Sequence, residues 1–170
     1  AASGDGKKPG SLTAEEILKK SDKFHFDYKD CHMKLKTVVK DKDGKTTDLK
    51  YELWEKGEKR LIMFSEPADV SGMAVLVKDQ NTVYVYEPEF NKVRRVAAHA
   101  KKQTMFGMDY TLDEMATKDL HLYYDSKILE ETEKEAVLWL EQKEGEDKAW
   151  PKIKLFVNKD EYWAAVKIEY

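Results

Sequence analysis

From residue 31 the side chains alternate with a period of two, and this constrains the fold more than any other feature. Cys31, Met33, Leu35, Thr37 and Val39 are separated by His32, Lys34, Lys36, Val38 and Lys40, so one face is mostly apolar and the other mostly basic. Asp43-Gly44 marks a hairpin turn. Leu49, Tyr51 and Leu53 then repeat the alternation against Asp48, Lys50, Glu52 and Trp54, and Gly57 ends the return strand. Further strands are expected at about residues 59–65, 72–79, 82–87 and 92–98, punctuated by Asn81, Pro88 and Asn91. Connections of about two to five residues cannot make parallel crossovers, so the segment reads as an antiparallel meander.

Two stretches break the rhythm. Residues 11–24 read as an amphipathic helix. Thr13 and Glu16 form a capping box, and Ala14, Ile17, Leu18 and Ser21 fall on one face. Residues 104–110, Thr-Met-Phe-Gly-Met-Asp-Tyr, are rich in methionine and aromatics without a strand pattern. A second capping box, Thr111 with Glu114, opens a short helix that ends near Lys118. Strands resume at about 120–132, 136–144, 151–159 and 163–170, with tips at residues 133–135 and 147–148. The expected class is mainly β with two short helices. A long meander with one polar and one apolar face must curl around something, and the helices are the available filling.

The run Phe64-Ser-Glu-Pro-Ala-Asp-Val-Ser-Gly-Met-Ala-Val-Leu-Val77 joins two strands that are apolar at consecutive positions. Pro67 fixes its own φ, and Gly72 can take a backbone angle closed to other residues. Consecutive apolar positions imply that both faces of these strands are covered. One cover is core, and the other is the functional question.

Composition excludes several classes. At 170 residues, 37% charged and 41% hydrophobic, the chain is long and apolar enough for one domain over residues 11–170, preceded by a flexible lead at 1–10. A net charge of −3 gives no reason to expect nucleic-acid binding. No run approaches the roughly 18–20 apolar residues of a membrane helix. The lead AASGDGKKPG lacks the apolar core of a signal peptide, so any export signal is already removed or was never there. Cys31 is the one cysteine, and His25, His32, His99 and His121 have no metal-ligand spacing. No nucleophile–base motif and no glycine-rich phosphate loop is present, so neither catalysis nor a cofactor is expected.

An ordered string of motifs carries a resemblance. Trp54, Lys59-Arg60 and Phe64 precede Pro67-x-Asp69-x-x-Gly72-x-Ala74, followed by Val83-Tyr-Val-Tyr-Glu-Pro88 and Val93-Arg94-Arg95-Val96. Phe106-Gly107-x-Asp109-Tyr110 then stands before an acidic helix start. Over about residues 13–170 the chain resembles the LolA-like outer-membrane lipoprotein-sorting proteins of Gram-negative bacteria. The resemblance implies a strongly curved, half-open antiparallel β-barrel with helices over its concave face and a hydrophobic cavity for acyl chains. It implies a periplasmic address and the carriage of lipid or acylated lipoprotein between membranes. An inner-membrane transporter or outer-membrane acceptor would be the partner, with only peripheral membrane contact. Family members often continue past the point matching residues 163–170, which implies either a shortened member or a chain cut there. The related RseB-type regulators imply an alternative, a sensor or adaptor module that binds a protein.

Met33, Leu35, Val39, Leu49, Tyr51, Leu53, Ile62, Phe64, Val75 and Val85 are the residues expected on the concave side. They form either a dry core packed by the helices or, on the family reading, an acyl-chain cavity. A C16 chain would bring about 12 kcal/mol of gross burial at ~0.8 kcal/mol per CH₂. The candidate lid is Met105, Phe106, Met108, Tyr110, Leu112 and Met115, with Gly107 as a hinge. Arg94 and Arg95, with Lys92, Lys101 and Lys102, form a candidate basic patch for lipid phosphates or an acidic partner.

Overall fold

The protein is described by a computed structural model over residues 11–104 and 110–170. Its strands form two antiparallel sheets, and the chain divides into two compact units. Among the described residues, one unit comprises 11–27 together with 119–170, and the other comprises 28–104 and 110–118.

The second of these units is the meander. Strands β1 (Asp30–Lys40), β2 (Thr46–Lys56), β3 (Lys59–Glu66), β4 (Ala74–Asp79), β5 (Thr82–Glu87) and β6 (Lys92–Arg95) pair in sequence order as a six-stranded sheet. The register carries the alternation across neighbours: Met33 faces Leu53, Leu53 faces Ile62, Ile62 faces Val75 and Val75 faces Val85. Residues of this parity build the inner face, where Leu49, Ile62, Phe64, Val75, Val77, Val83 and Val85 are buried. At the β1–β2 turn, Asp41 Oδ1 accepts from the backbone N–H groups of Asp43 and Lys45, and Gly44 takes φ +83°. The 67–72 connection contains a short 3₁₀ turn over Ala68–Val70 and closes through Gly72 N to Phe64 O at 2.9 Å, with Gly72 at φ +82°. That is the left-handed angle expected of this glycine.

Helix α2 (Leu112–Ala116) packs Leu112, Met115 and Ala116 into the inner-face cluster. Its five residues are too few to be stable alone. The expected capping box is formed: Thr111 Oγ1 accepts from Glu114 N, and Glu114 Oε2 accepts from Thr111 N at 2.7 Å.

The other unit holds α1 (Ala14–Phe26), α3 (Leu120–Tyr123) and strands β7 (Tyr124–Glu131), β8 (Glu135–Gln142), β9 (Lys152–Asn158) and β10 (Ala164–Glu169), with sheet order β10-β9-β8-β7. Ile17 and Leu18 of α1 share one buried cluster with Leu138, Leu140, Leu155 and Val157. The capping box of α1 is formed by Thr13 and Glu16.

The described residues hold three α-helices rather than two, because 120–123 is helical where the alternation predicts strand. Tertiary hydrogen bonds override the local pattern there. His121 donates its backbone N–H to Asp22 Oδ2 at 3.0 Å, its Nδ1 lies 2.7 Å from the same oxygen, and Lys143 Nζ donates to His121 O at 2.9 Å. Asp119, in the left-handed region at φ +44°, starts the turn. A second departure concerns the strands flanking Pro67. Their outer-face residues Met63 and Leu76 are 42% and 38% exposed, so the second face is not covered.

Candidate functional site

The inner face of the six-stranded sheet collects most of the residues expected to line a cavity. Leu49, Ile62, Phe64, Val75 and Val85 are buried in one cluster, with Val39, Tyr51 and Leu53 half-buried against it. Leu35 is half-buried, and Met33, at the same parity, is 38% exposed. Tyr51 Oη lies 3.1 Å from Thr37 Oγ1 and its ring packs on Phe64 at 5.5 Å between centroids. The surface around these positions is therefore largely apolar.

Of the candidate lid residues, Met105, Phe106 and Met108 lie outside the described residues. Leu112 and Met115 are brought together in the buried cluster. Tyr110 is 39% exposed. Burial pushes that phenol up to about 12, with the Glu114 and Glu55 carboxylates adding to the rise and Arg60 opposing it.

A buried polar knot ties α2 to the β2–β3 hairpin. Arg60 Nε donates to Glu55 Oε1, and Arg60 Nη1 donates to the carbonyl of Met115 in the last turn of α2. Tyr28 Oη donates to Glu55 Oε2. Lys118 Nζ lies 3.8 Å from Glu55 Oε1 and donates to Gly57 O at 2.7 Å. The Glu55 side chain is 1% exposed and that of Arg60 7%. The sequence reading places no function on this pair, although a signal existed: Glu55 shares the parity of Leu53, and Arg60 that of Ile62. Two opposite charges thus face each other in register on an apolar face.

The proposed basic patch is not brought together. Consecutive strand residues point to opposite faces, so Arg94 shares the parity of Val85 and Arg95 that of Tyr84. Arg94 is held by Glu87 through two hydrogen bonds of 2.9 and 3.2 Å. That pairing draws the Glu87 carboxyl below its ordinary range and raises the guanidinium. Lys101 is buried and donates to Gln80 O at 2.8 Å.

Away from this sheet, Asp22, Asp119 and His121 place ligand atoms within 4.8 Å of one another. Asp22 Oδ2 is already engaged by two groups of His121. The cluster's evident work is to fasten α3 to α1.

The fold is shared with solved structures. A LolA superfamily protein from Nitrosomonas europaea superposes with a TM-score of 0.70 at 22% identity, over 94% of this chain and 71% of that one. A DUF1329 family protein from Desulfovibrio piger gives 0.76 at 19% identity, over 92% and 71%. A putative outer membrane lipoprotein-sorting protein domain from Vibrio parahaemolyticus gives 0.69 at 19%, over 92% and 70%. No curated protein matches the chain. The expected LolA-like, mainly β fold is therefore present. A family model described as "-like: Uncharacterized protein" matches residues 56–170, which is more than half of the chain, and the protein belongs to that family.

Proposed function

We propose that this protein is a periplasmic carrier. It holds lipid or lipoprotein acyl chains on the inner apolar face of its six-stranded sheet and passes them between membranes or to and from a transporter, without covalent chemistry. The observation that carries this reading is the LolA-like fold, shared over nearly the whole chain with a LolA superfamily protein and a lipoprotein-sorting domain. The inner-face chemistry supports it: aliphatic residues dominate, and the covering helix α2 is five residues long and packs Leu112, Met115 and Ala116 on them. Residues 104–115 are proposed to gate entry. Affinity would come from burial, and direction from stronger binding at the acceptor.

A second reading is favoured by one observation. β10 lies at the edge of the four-stranded sheet, with Val166 and Ile168 55% and 44% exposed. An adaptor of the RseB type could receive a partner's strand there.

Native mass spectrometry after exposure to diacyl phospholipid and to a synthetic lipopeptide separates the two readings. A carrier acquires a discrete lipid mass that organic extraction recovers. Replacing Phe106 by Asp should reduce that uptake, and the binding of an apolar dye, far more than it lowers Tm. A protein that stays empty under both exposures would sink the carrier reading and leave the adaptor.

A further inference from the structure

The outer face of the six-stranded sheet carries a feature that the carrier reading does not use. In register across four strands, Trp54, Leu61, Leu76 and Tyr84 form one row. Beside it run Met63, Ala74, Tyr86 and Val93. Met63, Leu76 and Val93 are 42%, 38% and 65% exposed, so this is a contiguous uncovered apolar and aromatic surface rather than scattered residues. An open groove of about 430 Å³ lies at one end of it, where Trp54, Leu61 and Leu76 meet Lys56, Lys59 and the Asp30 and Glu55 carboxylates. The His32 imidazole stacks on Trp54 at 4.7 Å and holds the indole in place.

The charges on this face are unbalanced. Of its carboxylates, Asp48, Glu52 and Glu66 are each paired with a lysine of the same face, Lys36, Lys34 and Lys50 respectively, and Asp30 stands in register with Lys56. Lys59 and Lys78 are exposed, lie two residues beyond Leu61 and Leu76 at the same end of the rows, and make no ion pair among the described residues. Arg95, beyond Tyr84, is likewise exposed and unpaired. The whole chain is net −3, so these free cations are a local excess.

We propose that this outer face docks on an anionic phospholipid bilayer. The aromatic and aliphatic rows would enter the headgroup boundary, where Trp and Tyr place an apolar ring beside a polar tip. Lys59, Lys78 and Arg95 would meet lipid phosphates, and the lysine stems can extend from the apolar rows to the charged surface. A second copy of the chain is the poorer occupant, because a two-fold interface would set these unpaired cations against one another. Docking is independent of what the inner face holds, so it stands or falls apart from the carrier reading.

Vesicle flotation tests it. The intact protein should float with vesicles of phosphatidylglycerol and phosphatidylcholine, not with phosphatidylcholine alone, and should release as salt rises to about 0.5 M. Lys59→Glu/Lys78→Glu should weaken partitioning roughly tenfold or more with the circular dichroism spectrum unchanged. Leu76→Ser, a substitution at an exposed position, should also weaken it. Lys20→Glu/Lys23→Glu on α1 should leave it unchanged. The proposal is overturned by absence of flotation with anionic vesicles, by binding that survives both outer-face changes, or by equal loss in the α1 variant. A concentration-dependent dimer in which Met63 and Leu76 become protected would also overturn it, assigning the face to a second copy.

Discussion

Glu55 and Arg60 are opposite charges buried on an otherwise apolar strand face, and their worth depends on both being present. A buried ion pair gains little over a well-packed apolar pair, but removing one partner strands the other in low dielectric at about 3–5 kcal/mol. Arg60→Met should cost up to about that much, because it leaves the buried Glu55 carboxylate with only the Tyr28 hydroxyl and the more distant Lys118 ammonium, and also releases the Met115 carbonyl that Arg60 holds. Adding Glu55→Gln should restore much of the loss, giving a coupling of about 1–3 kcal/mol in a double-mutant cycle read by urea denaturation. Additive losses would mean that the pair is not a unit. This knot was legible in principle, since strand parity alone puts both charges on the apolar side. The same parity argument dissolves the Arg94–Arg95 patch, because adjacency in a strand separates two side chains instead of clustering them.

Among the elements, the helices show where local signals suffice. Both capping boxes are formed by the residues whose spacing predicts them. Helix α3 has no such signal, because its conformation is imposed by Asp22, about a hundred residues earlier in the chain. A second long-range tie joins α1 to β10: the Ala165 backbone N–H donates to His25 Nε2 at 3.1 Å. An imidazole nitrogen that accepts must be unprotonated, and burial pushes His25 below its ordinary value of 6.5, with Asp22 opposing. The sign follows from the depressed folded value. The stabilisation is present above the unfolded pKa near 6.5 and is lost as pH falls through the folded one. Protection of the Ala165 amide against hydrogen exchange should therefore be high at pH 7.5 and fall on acidification. In His25→Ala it should be low and flat with pH. A histidine signal titrating above 6.5 by NMR would contradict the assignment.

For the whole molecule, the meander was legible because period-two alternation, short connections and turn residues all agree. The makeup of the two compact units was not legible. Ile17 and Leu18, early in the chain, bury themselves with Leu138, Leu140 and Leu155, and no local pattern announces so distant a pairing. The inner face of the meander was readable as apolar, but whether it is filled by its own residues alone or also by a guest is an energetic question. Any ligand that binds only the native chain stabilises it by RT ln(1 + [L]/Kd), about 2.7 kcal/mol at one hundred times Kd. For a chain of this size that corresponds to a rise in Tm of about 5–10 °C. A monoacyl phospholipid held below its micelle concentration should produce this rise in the native protein, while glycerophosphocholine, the same headgroup without the chain, should produce none. The increment should grow with acyl length, since each added CH₂ contributes up to about 0.8 kcal/mol of burial. A Tm indifferent to chain length, or raised equally by the chainless headgroup, would mean that the inner face is a closed core and that the carrier reading fails.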